Sequence, residues 1–170
     1  QSLRKVLANE SLKLFVCEIS LDGMPEYHNN FRGNPRSFEK AMETYKMLEK
    51  LQKEDSRLLI HANTVAMGEN MDEIWQLTEY LHDNCPAMEH HNLAIIRGDR
   101  KNPSLQGPQL EKYKALYRHV AEVWSNHEKT RFGASVEPML QWAKIKTIET
   151  ESQFIPCKAG ILTGVVYANG

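Results

Sequence analysis

The chain has 170 residues, is 41% hydrophobic and 25% charged, and carries a formal net charge of −1, the profile of an ordinary soluble globular domain long enough to bury one real core. That charge excludes a nucleic-acid binder working through a basic surface. No apolar run approaches the ~20 residues of a membrane span, and no signal-peptide pattern is present. Three scattered cysteines give no disulfide framework and suit a reducing cytoplasm.

Leu3 to Ala8 reads as the end of a helix closed near Asn9. Leu12 to Ile19 is a nearly continuous apolar run, predicted as a strand buried on both faces. It breaks into Ser20-Leu21-Asp22-Gly23, a hydroxyl, a carboxylate and a glycine where a parallel strand would end. Asn34-Pro35 opens a helix with a cap and a first-turn proline. Its stripe is Phe38, Ala41, Met42, Tyr45, Leu48 and Leu51, and Lys53-Glu54-Asp55 closes it.

Leu58, Leu59, Ile60, Ala62 and Val65 give a second strand. Asn70 caps the next helix, with Glu73 placed for a reciprocal capping bond. That helix is striped by Met71, Ile74, Trp75, Thr78 and Leu81 and stops at Asn84, before Pro86. A third strand runs from Leu93 to Ile96. After a loop from Asn102 to Pro108 comes a long helix striped by Leu110, Tyr113, Leu116, Tyr117, Val120 and Trp124. Arg131 to Ser135 breaks the pattern, Val136 to Glu151 is helical again with Pro138 in its first turn, and Ile161 to Tyr167 is a last strand. Three alternations of strand and helix predict parallel βαβ units with the helices on one convex face.

Chemistry is expected where these strands end, because the loops there form the open crevice of an α/β fold. Ser20 and Asp22 stand on alternate positions at the first strand end; the plainer reading is that they organise the turn at Gly23. Arg32 can fold back over the mouth as a fixed cation for a carboxylate or phosphate, or be an ordinary loop arginine. His61 and Asn63 share one face of the second strand, with Thr64 on the other, and suit either ligand contacts or a satisfied polar pair. His90 and His91 point to opposite faces, which disfavours a zinc site with Asp99. Arg97 and Asp99 follow the third strand as pocket residues or as an ion pair. Cys17 reads as a small buried hydrophobe.

Ser20-Leu21-Asp22-Gly23, a gap containing His28, and Arg32-Gly33 with Phe38 together resemble the fourth-strand region of radical S-adenosylmethionine enzymes. The branch with a C-terminal SPASM domain, which includes anaerobic sulfatase-maturing and peptide-modifying oxidoreductases, is the most similar. Leu58–Thr64 with Asn70, Asn92–Ile96 with Arg97-Gly98-Asp99, and Pro156-Cys157-Lys158-Ala159-Gly160 before Val165-Val166-Tyr167 fit the same order. The resemblance implies that Ser20, Asp22, Arg32 and Asn63 contact S-adenosylmethionine, with Arg32 on its carboxylate, and that Arg97 and Asp99 face substrate. It implies that Cys157 is a ligand of an auxiliary [4Fe–4S] cluster in a longer protein. For that protein it implies reductive cleavage of the cofactor and hydrogen abstraction from a peptide or protein side chain.

One departure is decisive. The family carries a CxxxCxxC loop for its [4Fe–4S] cluster, and Cys17, Cys85 and Cys157 lie too far apart in sequence to form it. The chain also opens at Gln1 inside an apolar-periodic segment and closes on Asn169-Gly170, a hairpin-turn signal. The expectation is therefore a fragment. Residues 1–152 would be the C-terminal half of a partial (β/α) barrel, and 153–170 the start of a SPASM-like domain opening on a terminal strand. Such a fragment would be inactive alone, with no cofactor bound, and could pair with a second copy through its exposed first strand. The competing expectation is a self-contained α/β module that binds a small molecule or regulates, without catalysis.

Overall fold

A computed structural model describes residues 2–96, 102, 104–124, 133–152 and 155. The elements run α1 (Ser2–Leu7), β1 (Phe15–Ser20), α2 (Pro25–Arg32), α3 (Ser37–Glu54), β2 (Leu58–Ala66), α4 (Met71–Asn84), β3 (His90–Ile95), α5 (Leu110–Trp124) and α6 (Gly133–Thr150). The three strands form one sheet in the order β1-β2-β3. Both pairs are parallel, with Phe15 opposite Leu58 and Ser20 opposite Asn63, then His61 opposite His90 and Ala66 opposite Ile95. The mixed α/β class and the parallel strands in sequence order are as the alternating pattern predicts. The described residues do not close into a barrel. The terminal strand Ile161–Tyr167 lies outside them.

Period-two alternation along β2 divides the sheet into two unlike faces. Leu58, Ile60, Ala62, Thr64 and Ala66 are fully buried, while Leu59, His61, Asn63 and Val65 between them are half-buried. The buried parity continues into Ile19 of β1 and into His91, Leu93 and Ile95 of β3. Against it pack Phe38, Tyr45 and Leu48 of α3, Ile74, Leu77 and Leu81 of α4, and Tyr113, Leu116, Val120 and Trp124 of α5, in a single cluster. Each fully buried Leu or Ile here contributes about 2 kcal/mol through removal of apolar surface from water.

Several expectations need correction. The apolar run ending at Ile19 is not buried on both faces: Val16 is 39% exposed, because it shares the half-open face of the sheet with Leu59, opposite the helices. The gap between Gly23 and Gly33 holds a helix, α2, with Pro25 in its first turn and Gly33 at φ 62° closing it. Proline fits the first turn, where a missing N–H costs nothing, and glycine fits the left-handed closing residue. Helix α3 starts at Ser37, not at Asn34-Pro35; Asn34 Oδ1 accepts from the Arg36 N–H in a local turn, and Asn29 Oδ1 takes the Phe38 N–H. Trp75 is 41% exposed and stacks on His119 of α5, ring centroids 3.7 Å apart, instead of entering the core. His90 and His91 lie within the strand.

Candidate functional site

The turn leaving β1 is fixed by five hydrogen bonds. Leu21 donates its N–H to the Asn63 carbonyl at 3.1 Å, and its own carbonyl accepts from the Thr64 hydroxyl at 2.6 Å. The Asp22 N–H donates to His28 Nδ1 at 3.1 Å, and the Asp22 carbonyl accepts from Asn70 Nδ2 at 3.0 Å. The Met24 N–H donates to Glu73 Oε2 at 2.9 Å. Buried backbone groups must be partnered, and here β2, α2 and the start of α4 supply the partners. An added Cβ on Gly23 would lie 2.8 Å from the Glu73 Cβ and from Tyr27, so only glycine admits this approach without displacement.

Asn70 and Glu73 thus serve a different purpose from the capping box their spacing predicts. Asn70 makes no side-chain cap bond to α4. It is fully buried, donates to the Asp22 and Val65 carbonyls and accepts from the Met67 N–H. A helix-start pattern in sequence is here a staple between two strand ends.

The Asp22 carboxylate is buried and taken up by its own loop. Arg32 donates to it through Nε at 2.6 Å and Nη2 at 3.2 Å, and His28 Nδ1 stands 3.2 Å from Oδ2. Burial pushes the carboxyl upward, but the His28 and Arg32 hydrogen bonds and the Arg32 charge outweigh it and hold the group below its ordinary value. Arg32 is 42% exposed at its side chain, and its two bonds to Asp22 use Nε and Nη2. The turn-organising reading of Asp22 is the one this geometry expresses.

His28 also contacts Ser37 Oγ through Nε2 at 3.0 Å, so Asp22, His28 and Ser37 form an Asp–His–Ser line. Nδ1 faces both the N–H and the carboxylate of Asp22, and Nε2 meets Ser37, so both ring nitrogens are committed within this line. The Phe38 N–H next to Ser37 is already used by Asn29. The line ties α2 to α3.

Beyond the turn, the half-open face of the sheet carries two polar rows. Strand register aligns Ser20, Asn63 and Asn92 in one and Glu18, His61 and His90 in the other, with the His61 and His90 rings 5.5 Å apart, edge to face. Ser20 is exposed. Asn63 Oδ1 is buried without a hydrogen-bond partner among the described residues. Lys144 of α6 reaches the first row, donating to Asn92 Oδ1 at 3.3 Å and to the Leu93 carbonyl at 2.5 Å. The structure therefore brings Ser20 and Asn63 together in register, and pairs Asp22 with Arg32 at the turn that follows. Asn92 and Lys144 join this constellation; the period-two alternation from Asn63 could have found Asn92, but nothing local marks Lys144. Arg97, Asp99 and Cys157 lie outside the described residues.

The buried Asn63 acceptor, beside the exposed Ser20 hydroxyl, lacks a hydrogen-bond donor among the described residues. An iron–sulfur cluster does not fit the described residues. Cys17 and Cys85 belong to separate elements, and burial pushes both thiols up, that of Cys85 to about 12, whereas a ligand must be a thiolate. Among the described residues no cluster of His, Cys, Asp or Glu could hold a metal ion, and no helix is long and apolar enough to cross a membrane.

The fold and these rows define an α/β protein with a parallel sheet covered by helices on one face. No family model, no curated protein and no solved structure matches the chain.

Proposed function

We propose that this chain is the C-terminal half of the catalytic barrel of a radical S-adenosylmethionine oxidoreductase acting on a peptide or protein substrate, followed by the first residues of a SPASM-like domain. The observation that carries the reading is the Ser20–Asn63 pair. The two residues are in register at adjacent parallel strand ends, and Asn63 Oδ1 is buried and unsatisfied among the described residues, an arrangement that costs stability unless a ligand donor completes it. In this reading Ser20 and Asn63 hydrogen-bond the cofactor's polar groups. Arg32, oriented by Asp22, offers its remaining N–H groups to a ligand carboxylate. Arg97 and Asp99 face the cofactor or substrate, and Cys157 serves an auxiliary cluster in the longer protein. Cytoplasmic location follows from the same reading.

A cluster in the longer protein would supply the electron for reductive cleavage of S-adenosylmethionine, while Ser20, Asn63 and Arg32 would bind and orient that cofactor. The deciding observation is the coding sequence upstream of Gln1. We expect a CxxxCxxC loop there, and expect the longer polypeptide, reconstituted anaerobically with iron and sulfide, to absorb visible light as a cluster does and to release 5′-deoxyadenosine. Asn63→Leu in that protein should weaken S-adenosylmethionine binding tenfold or more, about 1.4 kcal/mol or above. An upstream sequence without that loop, or a stoichiometric cluster with turnover on the 170-residue chain itself, overturns the proposal.

A further inference from the structure

His91 sits at the centre of a buried relay that crosses four elements. Its Nε2 is 2.7 Å from Thr64 Oγ1 of β2, and its Nδ1 is 3.0 Å from Thr78 Oγ1 of α4. The Thr64 hydroxyl lies 2.6 Å from the Leu21 carbonyl, and the Trp124 indole of α5 donates to Thr78 Oγ1 at 3.0 Å. His91, Thr64 and Thr78 are buried to 1% exposure or less.

The proton directions follow from counting. A carbonyl only accepts, so the one hydroxyl proton of Thr64 goes to Leu21, and Thr64 faces His91 as an acceptor. Nε2 must then carry a proton. An indole N–H only donates, so Thr78 accepts from Trp124 and has its own proton free for His91 Nδ1. Every group is satisfied by a single arrangement, with the ring neutral. The opposite tautomer would set Nε2 and Thr64 lone pair against lone pair in a site closed to bulk solvent.

We infer that His91 is a positioning residue, locked as the neutral Nε2–H tautomer, that aims the Thr64 hydroxyl at the Leu21 carbonyl and so holds the turn carrying Asp22 and Gly23 in register with β2. The imidazole lies on the helix-covered face, closed to solvent, and acts through Thr64. Its partner His90, one residue earlier, faces the opposite side of the sheet and takes no part. The inference stands apart from the S-adenosylmethionine reading, because it concerns the chain without any ligand.

The test is nitrogen-15 NMR of the ring in the 170-residue chain. A pyrrole-type Nε2 and a pyridine-type Nδ1 are expected for His91. Thr64→Val keeps the shape and removes the hydroxyl; Thr64→Ser restores it. With the valine, the Leu21, Asp22, Gly23 and Asn70 amides should shift, and the serine should return them toward the parent positions, while Trp124 stays in place. Thr78→Val should instead move the Trp124 indole resonance and allow a mixture of tautomers. A pyrrole-type Nδ1 in the unmodified chain overturns the inference. So do turn amides that stay fixed in Thr64→Val while the relay itself is broken. If the valine variant does not fold, the ring spectrum of the unmodified chain still decides the tautomer, and Thr64→Ser alone decides the role through the same amides.

Discussion

Asn70 Nδ2 donates to the main-chain carbonyl of Asp22 across 48 positions of sequence, at 3.0 Å and out of contact with water. The same amide group satisfies Val65 and Met67, so one side chain joins the exits of β1 and β2. Asn70→Ala leaves several buried backbone groups unpartnered and should cost about 3 kcal/mol. Asn70→Asp should cost more, since a carboxylate oxygen would face two carbonyls. Urea unfolding of both variants checks the order; an aspartate as stable as the parent contradicts the assigned geometry.

Acid sensitivity should trace to His91. Burial, with a smaller contribution from the charge of His90, drops its pKa from 6.5 to about 3. The unfolded chain takes up a proton near 6.5 and the folded chain does not. The contribution is therefore complete above pH 6.5 and is lost progressively as pH falls toward 3, with a slope of up to about 1.4 kcal/mol per pH unit. Replacing His91 with Gln should lower stability at neutral pH and remove that slope. The measurement is the difference in urea midpoint between the two proteins at neutral pH and at about pH 4.5, a difference that should shrink with acid.

Asp22 acts at lower pH with the same sign. Its folded-state value lies below the ordinary 3.8, so its stabilisation is present above 3.8 and is lost as pH falls through the folded value. Arg32→Gln removes the two guanidinium hydrogen bonds and the charge that oppose burial. The acid transition should move to higher pH, followed by far-UV circular dichroism. Because Arg32 is 42% exposed, the loss at neutral pH should be only about 1 kcal/mol.

Gly23→Ala should destabilise by about 1–3 kcal/mol through forced displacement of Glu73 and Tyr27. The Met24–Glu73 bond should open with it, read as faster amide exchange at Met24. An unaffected Met24 amide would show that the turn has slack.

The free side of β1 is an unpaired strand edge among the described residues, carrying exposed Val16. Concentration-dependent association is expected by light scattering, reduced by Val16→Lys, which sets a charge on the edge.

The sheet was legible because strand periodicity survives burial. The runs ending at Ile19, Val65 and Ile96 delivered parallel order, and the face assignment of His61, Asn63 and Thr64 followed from alternation alone. What stayed hidden was polar and non-local. Asn70 and Glu73 carry the pattern of a local capping box, and only a partner 48 or 49 residues away gives them another use. Asp22 and Arg32 stand out in the sequence at a strand end, but pattern cannot say whether two opposite charges meet a ligand or each other. Helix α2 was missed because its Tyr27, His28, Asn29, Asn30 stretch lacks an apolar stripe; His28 is its buried anchor. Trp75 fits the α4 stripe by spacing, yet the stripe's edge lies over His119.

Arg57 has a kinetic consequence. Its guanidinium donates to the carbonyls of Leu7, Asn9 and Leu12, the last at 3.0 Å, while Asp55 grips it from beside. Those carbonyls belong to the end of α1 and the stretch after it, and their partner is not synthesised until 45 to 50 residues later. A six-residue helix does not persist unaided. The first dozen residues should therefore dock last, after β2 has joined β1, and unlatch first. In Arg57→Ala of the 170-residue chain, the segment before β1 becomes protease-sensitive on an otherwise intact sheet.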